Sequence, residues 1–365
     1  MNKQYFNVKA AGGGSIPPAL PTPPIRLWSP QPDWIDISSV NNNEINLLVR
    51  EGTGIAFSVA TTSGTYSIDW GDGTIETLRV SGTVYQHQHT INGTLCSLGY
   101  NTWKIRIYGA STNIKRWKIE RHTFTTRTQY PSILWAVFGT QGITDYSYCF
   151  YSPTGTINCK ILQRCEISSF SACTTVSSMF QGCTDLSSVI LPSSWGSLTN
   201  LSSLFSSCYA LSQVTLPTTW GNITNVSSMF YGCYGLNMVS LPASWGGVTD
   251  SNSMFHSCYG LTSITLPASC GSLGSMGNMF YSCYGLSSIA MPISWGSVTN
   301  TSQMFGGCYS LSNIVLPASW GSITNVNSMF YGCYGLTSIA IPTNWGSIVN
   351  CSSVFQSCYG CIFQP

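Results

Sequence analysis

A repeat of 25 residues constrains the fold of this chain more than any other feature of its sequence. A phenylalanine recurs at this interval, and a cysteine follows it three positions later in every copy. The phenylalanines are Phe180, Phe205, Phe230, Phe255, Phe280, Phe305, Phe330 and Phe355. The cysteines are Cys183, Cys208, Cys233, Cys258, Cys283, Cys308, Cys333 and Cys358. Self-similarity at a fixed period predicts stacked units that each bury an apolar side against their neighbours.

Each copy contains the signature of a short β-strand. In the segment LTSITLP, Leu261, Ile264 and Leu266 are expected to point inward. Pro267 closes the strand, because proline has no N–H group to give to the ladder. Stacking the copies at strand spacing predicts a right-handed solenoid with one parallel sheet and one continuous core.

The approach to the phenylalanine has a different pattern. In the segment NVNSMF, Val326, Met329 and Phe330 are at helical spacing. This spacing predicts one helical or 3₁₀ turn on the side of each coil opposite the strand.

The repeat unit L-T-S-I-x-L-P-x-x-W-G-S-I-T-N-V-x-S-M-F-Y-G-C-Y-G resembles the BspA-type leucine-rich repeats of bacterial surface proteins. The resemblance covers roughly residues 140 to 365 and rests on the period, the Met-Phe-x-x-Cys pattern and the placement of asparagine. Members of that family are mostly adhesins or have no known activity. Two departures stand out: Pro and Trp occupy positions that are commonly Asn and Phe, and a tyrosine follows the cysteine where a small polar residue is usual.

These tyrosines form the first candidate binding surface. They are Tyr209, Tyr234, Tyr259, Tyr284, Tyr309, Tyr334 and Tyr359. A stacked, half-exposed aromatic ribbon would suit sugar faces or a protein partner. The alternative interpretation is simple packing between coils under the turn.

The outward positions of the strands form the second candidate surface, a concave face. They are Ser188, Gln213, Met238, Ser263, Ser288, Asn313 and Ser338. Because these side chains are small and uncharged, apart from the one methionine, the face suits a neutral partner better than a charged one.

The cysteine column is interpreted as buried thiols, since free cysteine behaves as a small apolar residue. Disulfides and metal binding are the alternatives. Side chains that point the same way suit bridging poorly, and no histidine is interleaved with the cysteines, so the sequence predicts no metal site and no cofactor. An asparagine column is expected to satisfy loop backbone groups rather than to carry glycans. Its members are Asn200, Asn225, Asn300, Asn325 and Asn350, with Asp250 in the same column.

Charge is scarce, and this limits the classes of partner. Only 7% of the residues are charged, against about 25% in typical soluble domains, and the net charge is +2. No nucleic-acid partner is expected at this net charge, because phosphate binding needs clustered basic residues. Seven basic residues do fall between Lys104 and Arg127, and they are interpreted as a solvated strand face, with contact to an acidic partner as the alternative. The sequence contains no apolar run of about 18 residues, the length that would predict a membrane-spanning segment. Between residues 171 and 365 only Asp185 and Asp250 are charged, which predicts a homo-oligomer or a larger assembly. The last coil, without a polar cap, is expected to be covered by another chain.

The front half divides into distinct segments. Residues 1–11 are predicted to anchor the protein to a neighbour, and residues 12–44 form a Gly/Pro-rich linker. Residues 45–110 form a β-sandwich, residues 111–165 are divergent capping coils, and residues 166–365 are the solenoid. The W-G-D-G-T run that ends at Thr74, with His87 and His89 before the WKIRIYG strand, resembles PKD-type immunoglobulin-like domains, which are mostly spacers or interaction modules.

Titratable residues of the front half suggest little chemistry. Asp69 and Asp72 are flanked by glycines and are expected to bond the amides of a tight turn. His87 and His89 alternate to one strand face, a candidate metal pair without a clear third ligand, while His122 and His256 stand alone. No nucleophile elbow, P-loop or zincin motif occurs, so an enzyme is not expected.

The sequence therefore predicts a non-enzymatic structural or adhesion protein on a virion surface: a tail-fibre, baseplate or capsid-decorating component. The start of the chain has no apolar core of a secretory signal, and virion proteins need none because they leave by lysis. Expected partners are other virion or surface-assembly proteins and a host-surface glycan or protein. The alternative is a secreted bacterial cell-surface adhesin, and an enzyme built on the sandwich is a third class.

Overall fold

The computed structural model describes residues 36–41, 44–50, 54–61, 66–78, 84–88, 94–95, 101–109, 114–119, 133–139, 143–151, 161–268, 271–318, 320–340 and 347–364. The predicted anchor, residues 1–11, most of the predicted linker, His89 and His122 lie outside these residues. Within them the protein is mainly β and contains no α-helix. No helix among them could cross a membrane.

The first nine strands precede or open the solenoid. They are β1 (Glu44–Arg50), β2 (Gly54–Thr61), β3 (Tyr66–Asp69), β4 (Ile75–Leu78), β5 (Val84–Gln88), β6 (Thr94–Leu95), β7 (Asn101–Gly109), β8 (Ile114–Ile119) and β9 (Ile133–Phe138). The next nine belong to the repeats. They are β10 (Arg164–Ile167), β11 (Ser188–Ile190), β12 (Gln213–Val214), β13 (Met238–Val239), β14 (Ser263–Thr265), β15 (Ser288–Ala290), β16 (Asn313–Val315), β17 (Ser338–Ala340) and β18 (Ile362–Gln364).

The N-terminal strands form two sheets with a shared core. One sheet has the order β11-β10-β9-β1-β7-β3-β4, with β6 beside β7, and the other has the order β5-β2-β8. Val59 of β2 belongs to the same buried cluster as Ile45 of β1 and Ile107 of β7. The WKIRIYG segment, expected to be a strand, lies in β7, while the likeness to PKD-type domains stays a prediction.

Strand β9 joins the N-terminal sheet to the solenoid. It pairs antiparallel with β1 and parallel with β10, so that Trp135 lies between Leu48 and Arg164. All six residues of β9 are buried. The hydrogen-bonded ladder β1-β9-β10 therefore continues across the boundary expected between the β-sandwich and the next segment at residue 110. By pairing with β9, strand β1 covers the strand edge that the first coil would otherwise expose.

The strands of the repeats form several short parallel sheets, so the prediction of one parallel sheet is wrong. β12 pairs with β13, β14 pairs with β15, and β16, β17 and β18 form a three-stranded sheet. Each of these strands has only two or three residues, which leaves few ladder bonds to hold neighbouring coils in register. A second parallel ladder on another side of the coil is continuous from Asp145 to Asn350.

The approach to each phenylalanine is a run of tight turns, so the prediction of a helical or 3₁₀ turn is wrong. Met329 N–H donates to Val326 O at 3.1 Å, whereas the next amide, Phe330 N–H, donates across to Val354 O of the following coil at 2.9 Å. Ser328 has a φ of 54°, in the left-handed region, which a right-handed helix excludes. Alternate amides therefore serve the turn and the neighbouring coil, and the stack gains hydrogen bonds that a helix would keep internal.

The core of the solenoid is a column of phenylalanines, as predicted. Phe230 and Phe255 have ring centroids 5.4 Å apart, and Phe255 and Phe280 have centroids 5.5 Å apart with planes within 1°. Leu261, Ile264 and Leu266 point inward and are buried, which confirms the assignment of the inner strand face.

Candidate functional site

The tyrosine column is a continuous stack. The first four pairs, from Tyr209 to Tyr309, have ring centroids 4.5 to 4.7 Å apart and planes within 11° of each other. The stack loosens towards its C-terminal end, where Tyr309 and Tyr334 are inclined by 29°, and Tyr334 and Tyr359 are 5.7 Å apart. The repeat places each tyrosine directly above the last, because it always follows a buried cysteine by one residue.

The tyrosines are half-buried along the stack and most exposed at its two ends. Tyr209 is 36% exposed and Tyr359 is 48% exposed, whereas the tyrosines between them are less accessible. Burial, followed by the charges of the neighbouring phenols, raises the pKa of Tyr234 and of Tyr309 to about 12. Tyr234 and Tyr309 therefore keep neutral hydroxyl groups at physiological pH. The predicted half-exposed ribbon is present, and its use for binding stays a proposal.

A second aromatic column lies beside the first, and sequence reasoning missed it. It follows each core phenylalanine by one residue and contains Tyr231, His256 and Tyr281 in successive coils. These rings are tilted, by 52° between Tyr231 and His256 and by 59° between His256 and Tyr281. Burial lowers the pKa of His256 to about 4, so this imidazole is neutral at pH 7. The signal in the sequence was an aromatic residue in three consecutive copies and again at Tyr331, which smaller or polar residues in the other copies obscured.

The strand face has two shallow grooves on either side of Met238. The larger, of about 950 Å³, runs across β13, β14 and β15 as far as Ile293. The smaller, of about 300 Å³, is lined by both polar and apolar residues, Gln213 and Leu216 among them. Met238 and Ile293 are 66% and 82% exposed. Of the predicted outward positions, Gln213, Met238, Ser263, Ser288 and Asn313 are exposed, whereas Ser188 and Ser338 are half-buried.

The cysteine column is structural. The thiol of Cys258 donates to Phe230 O of the preceding coil at 3.2 Å, and Cys283 does the same to Phe255 O at 2.9 Å. The thiols from Cys208 to Cys358 are free, and burial raises the pKa of Cys283 to about 12. A small side chain with one donor thus satisfies a buried carbonyl in each coil, which confirms the interpretation as buried thiols.

Cys358 and Cys361 have the two-residue spacing found in many zinc and redox sites, but the repeat explains both. Cys358 donates to Phe330 O at 2.9 Å like the other members of its column. Cys361 takes the position that Leu336 has in the previous copy. Among the described residues, no group of three or more His, Cys, Asp or Glu side chains is arranged to hold a metal ion.

The asparagine column closes turns, as predicted. Asn225 Oδ1 accepts from Ser227 N–H at 2.9 Å, and Asp250 Oδ1 accepts from Asn252 N–H at 2.9 Å. The side chains thereby satisfy an amide two residues on, in the manner of an Asx turn.

A family model described as "BspA type Leucine rich repeat region (6 copies)" matches residues 113–237, 146–277 and 227–361. Together these overlapping matches cover more than half of the chain. The chain belongs to this family. A comparison with curated proteins gave no match.

Within this BspA-type repeat, the Met-Phe, Cys and Asn positions have structural roles in the coil. The Tyr that follows the Cys departs from the pattern expected for the family, and it lies at the surface. The two aromatic columns and the strand face are therefore the candidate contact surfaces.

The front half contributes no assembled site among the described residues. Asp69 Oδ1 accepts from Gly71 N–H and Asp72 Oδ1 accepts from Thr74 N–H, both at 3.0 Å, which confirms the tight turn. His87 lies in β5 opposite Ile55, and His89 is outside the described residues. A metal role for this pair stays a prediction.

Proposed function

We propose that this protein is a non-enzymatic adhesion protein, displayed on a virion as part of a tail fibre, a baseplate or a capsid decoration, and that its solenoid makes the contacts. The observation that carries the proposal is the long, stacked surface with exposed aromatic rings and almost no ionic groups. Such a surface can be buried against a neutral partner without leaving unpaired charges, which are costly to desolvate.

The family supports the broader part of the proposal, because BspA-type repeats are typical of surface and extracellular proteins. Residues 1–11 are proposed to join the protein to other members of the assembly, and the host-facing partner is a glycan or a protein. The second candidate is a secreted bacterial cell-surface adhesin, which the family match itself favours.

Immunogold electron microscopy with antibodies against the full chain tests the location. Label on an appendage of intact particles is the expected result. Label on the cell envelope, with bare particles, would refute the virion location and favour the second candidate. Label confined to the cell interior would refute both.

Adhesion of beads coated with the full chain tests the contact surface. We expect Tyr231→Asp and Met238→Asp to reduce bead attachment to host cells, because each places a charge on an uncharged exposed face. The matched control is Ser297→Asp, which adds the same charge at another exposed position of the coil. Equal attachment by all variants would contradict a role for these surfaces.

A further inference from the structure

The faces of the stacked tyrosines are closed to ligands. Tyr234, Tyr259 and Tyr284 have centroids 4.5 and 4.7 Å apart with planes within 7°. Each ring therefore covers the face of the next, and no sugar ring fits between them. What remains available along the stack is a row of ring edges and phenolic hydroxyl groups, repeated once per coil.

The tilted column supplies ring faces instead. Tilts of 52° and 59° prevent Tyr231, His256 and Tyr281 from covering one another completely, and Tyr231 is 38% exposed. The two columns adjoin, since Tyr281 of the second column lies close enough to Tyr309 of the first for its charge to raise the pKa of that phenol. Hydroxyl groups and open aromatic faces therefore occur side by side on one strip of the solenoid.

The strip is electrically neutral. The sequence between residues 171 and 365 has no lysine or arginine, its one histidine is the neutral His256, and its acids are Asp185 and Asp250 alone. The carboxylate of Asp250 is engaged in its own turn. A sulfated, phosphorylated or uronic-acid ligand would find no cation here, whereas an uncharged ligand would meet no ionic group that it must desolvate.

We propose that this double aromatic column, formed by the tyrosine stack and by Tyr231, His256 and Tyr281, binds a neutral linear saccharide that lies along the solenoid. Pyranose rings pack on the tilted aromatic faces, and their hydroxyl groups bond to the phenol row. The inference rests on the proposed adhesive function and names its ligand. A linear polymer repeats its own hydroxyl groups along the strip, so many weak contacts add together in a way that the irregular surface of a protein partner does not allow.

Calorimetric titration of the full chain tests this inference, with neutral glucan, mannan, xylan and N-acetylglucosamine oligomers of increasing length. We expect saturable binding of at least one series, with affinity rising with oligomer length. Tyr231→Ser combined with Tyr281→Ser should weaken binding about tenfold or more, because these rings supply the open faces. Ser206 and Gly306 occupy the same column, so a small residue is compatible with the fold there.

A second variant, Tyr234→Phe with Tyr259→Phe and Tyr284→Phe, keeps the stack and removes the hydroxyl groups, and it should also weaken binding about tenfold. Ser297→Ala, at an exposed position outside both columns and the strand face, is the matched control and should bind as the parent does, whereas Met238→Ser reports on the strand face. Thermal melts confirm that each variant is folded.

The outcomes separate this inference from the proposed adhesive function. Absence of binding to every neutral series would overturn the inference, and so would full retention of binding in both tyrosine variants. Loss of binding in Met238→Ser alone would transfer the site to the strand face. If coated beads still attach to periodate-treated cells but not to protease-treated cells, the partner is a protein, and adhesion stands without the saccharide.

Discussion

A column of small residues, mostly glycine, follows the tyrosines by one position and allows a quantitative test of how tightly the coils stack. Gly285 is the most informative member, because a Cβ atom added there would lie 2.6 Å from Tyr259 O of the preceding coil. In the same column the corresponding distance is 3.1 Å at Gly260, and at Gly360 the nearest atom is 3.9 Å away. Gly285→Ala, Gly260→Ala and Gly360→Ala are therefore the same substitution at three graded clearances.

The magnitude follows from two opposing effects. Alanine restricts the unfolded chain more than glycine does and so stabilises a protein by about 0.4–1 kcal/mol where it fits. Overpacking a rigid site costs about 1–3 kcal/mol. At Gly285 the added Cβ atom would clash with the backbone carbonyl of Tyr259. Gly285 N–H donates to this carbonyl at 3.2 Å, so the carbonyl cannot move away without weakening that hydrogen bond. We expect Gly285→Ala to lower the free energy of unfolding by about 1–2 kcal/mol and Gly360→Ala to leave it unchanged or slightly higher.

Urea denaturation followed by tryptophan fluorescence measures the three free energies, with near-UV circular dichroism reporting on the tyrosine stack. The slope of the unfolding free energy against urea concentration must agree among the variants. A changed slope would mean that the array of coils no longer unfolds as one cooperative unit, which can happen when one interface weakens. Equal stability of Gly285→Ala and Gly360→Ala, or a reversed order, would refute the idea that close approach of the coil backbones requires glycine here.

Three further predictions concern single positions. Ser257 has a φ of 59° in a column where several other copies have glycine, so Ser257→Gly should raise the free energy of unfolding by about 0.5–1 kcal/mol. Ser263→Gly in strand β14 is the control and should lower the free energy of unfolding. Urea titration measures both. The thiol of Cys283 should resist iodoacetamide at pH 8 in the native protein, because burial raises its pKa to about 12. Half-buried Cys351 should be alkylated before Cys283, as peptide mass spectrometry would show. Burial lowers the pKa of His256 to about 4, so the unfolded chain binds a proton at this residue at a higher pH than the folded protein does. The free energy of unfolding should therefore fall by about 1 kcal/mol, after allowance for solvent screening, as the pH drops from 6.5 towards 4. His256→Gln should remove this part of the pH dependence in urea titrations at pH 7 and pH 5, and an unchanged dependence would contradict the assignment.

Columns of identical residues could be predicted from the sequence because the period alone aligns them. The stacking of Phe230 on Phe255, the inward face of Leu261 and the buried thiol of Cys258 all follow from register, which a strict 25-residue repeat specifies without further information. The turn at Asp69 was predictable for a different reason, since glycines and short acceptors form such turns locally.

The second aromatic column was not predictable from the repeat, because it is irregular. Tyr231, His256 and Tyr281 share a position with Ser206 and Gly306, so no consensus marks it. At Gly306 an added Cβ atom would lie 2.8 Å from the ring of Tyr281, so this ring occupies space that a side chain in the next coil would need.

The sequence by itself determined that coils stack in register and which side chains fill each column, because spacing along the chain becomes position in the stack. It also determined membership of the BspA-type repeat family, whereas the right-handed sense of the solenoid stays a prediction. Only the tertiary structure decided how the coils are held together and which ring faces remain open. The segment around Ser328 has helical spacing, yet its alternate amides bond to the next coil, and the stacked tyrosines cover their own faces. Both outcomes depend on groups 24 or 25 residues away in sequence and one coil away in space, which no local pattern describes.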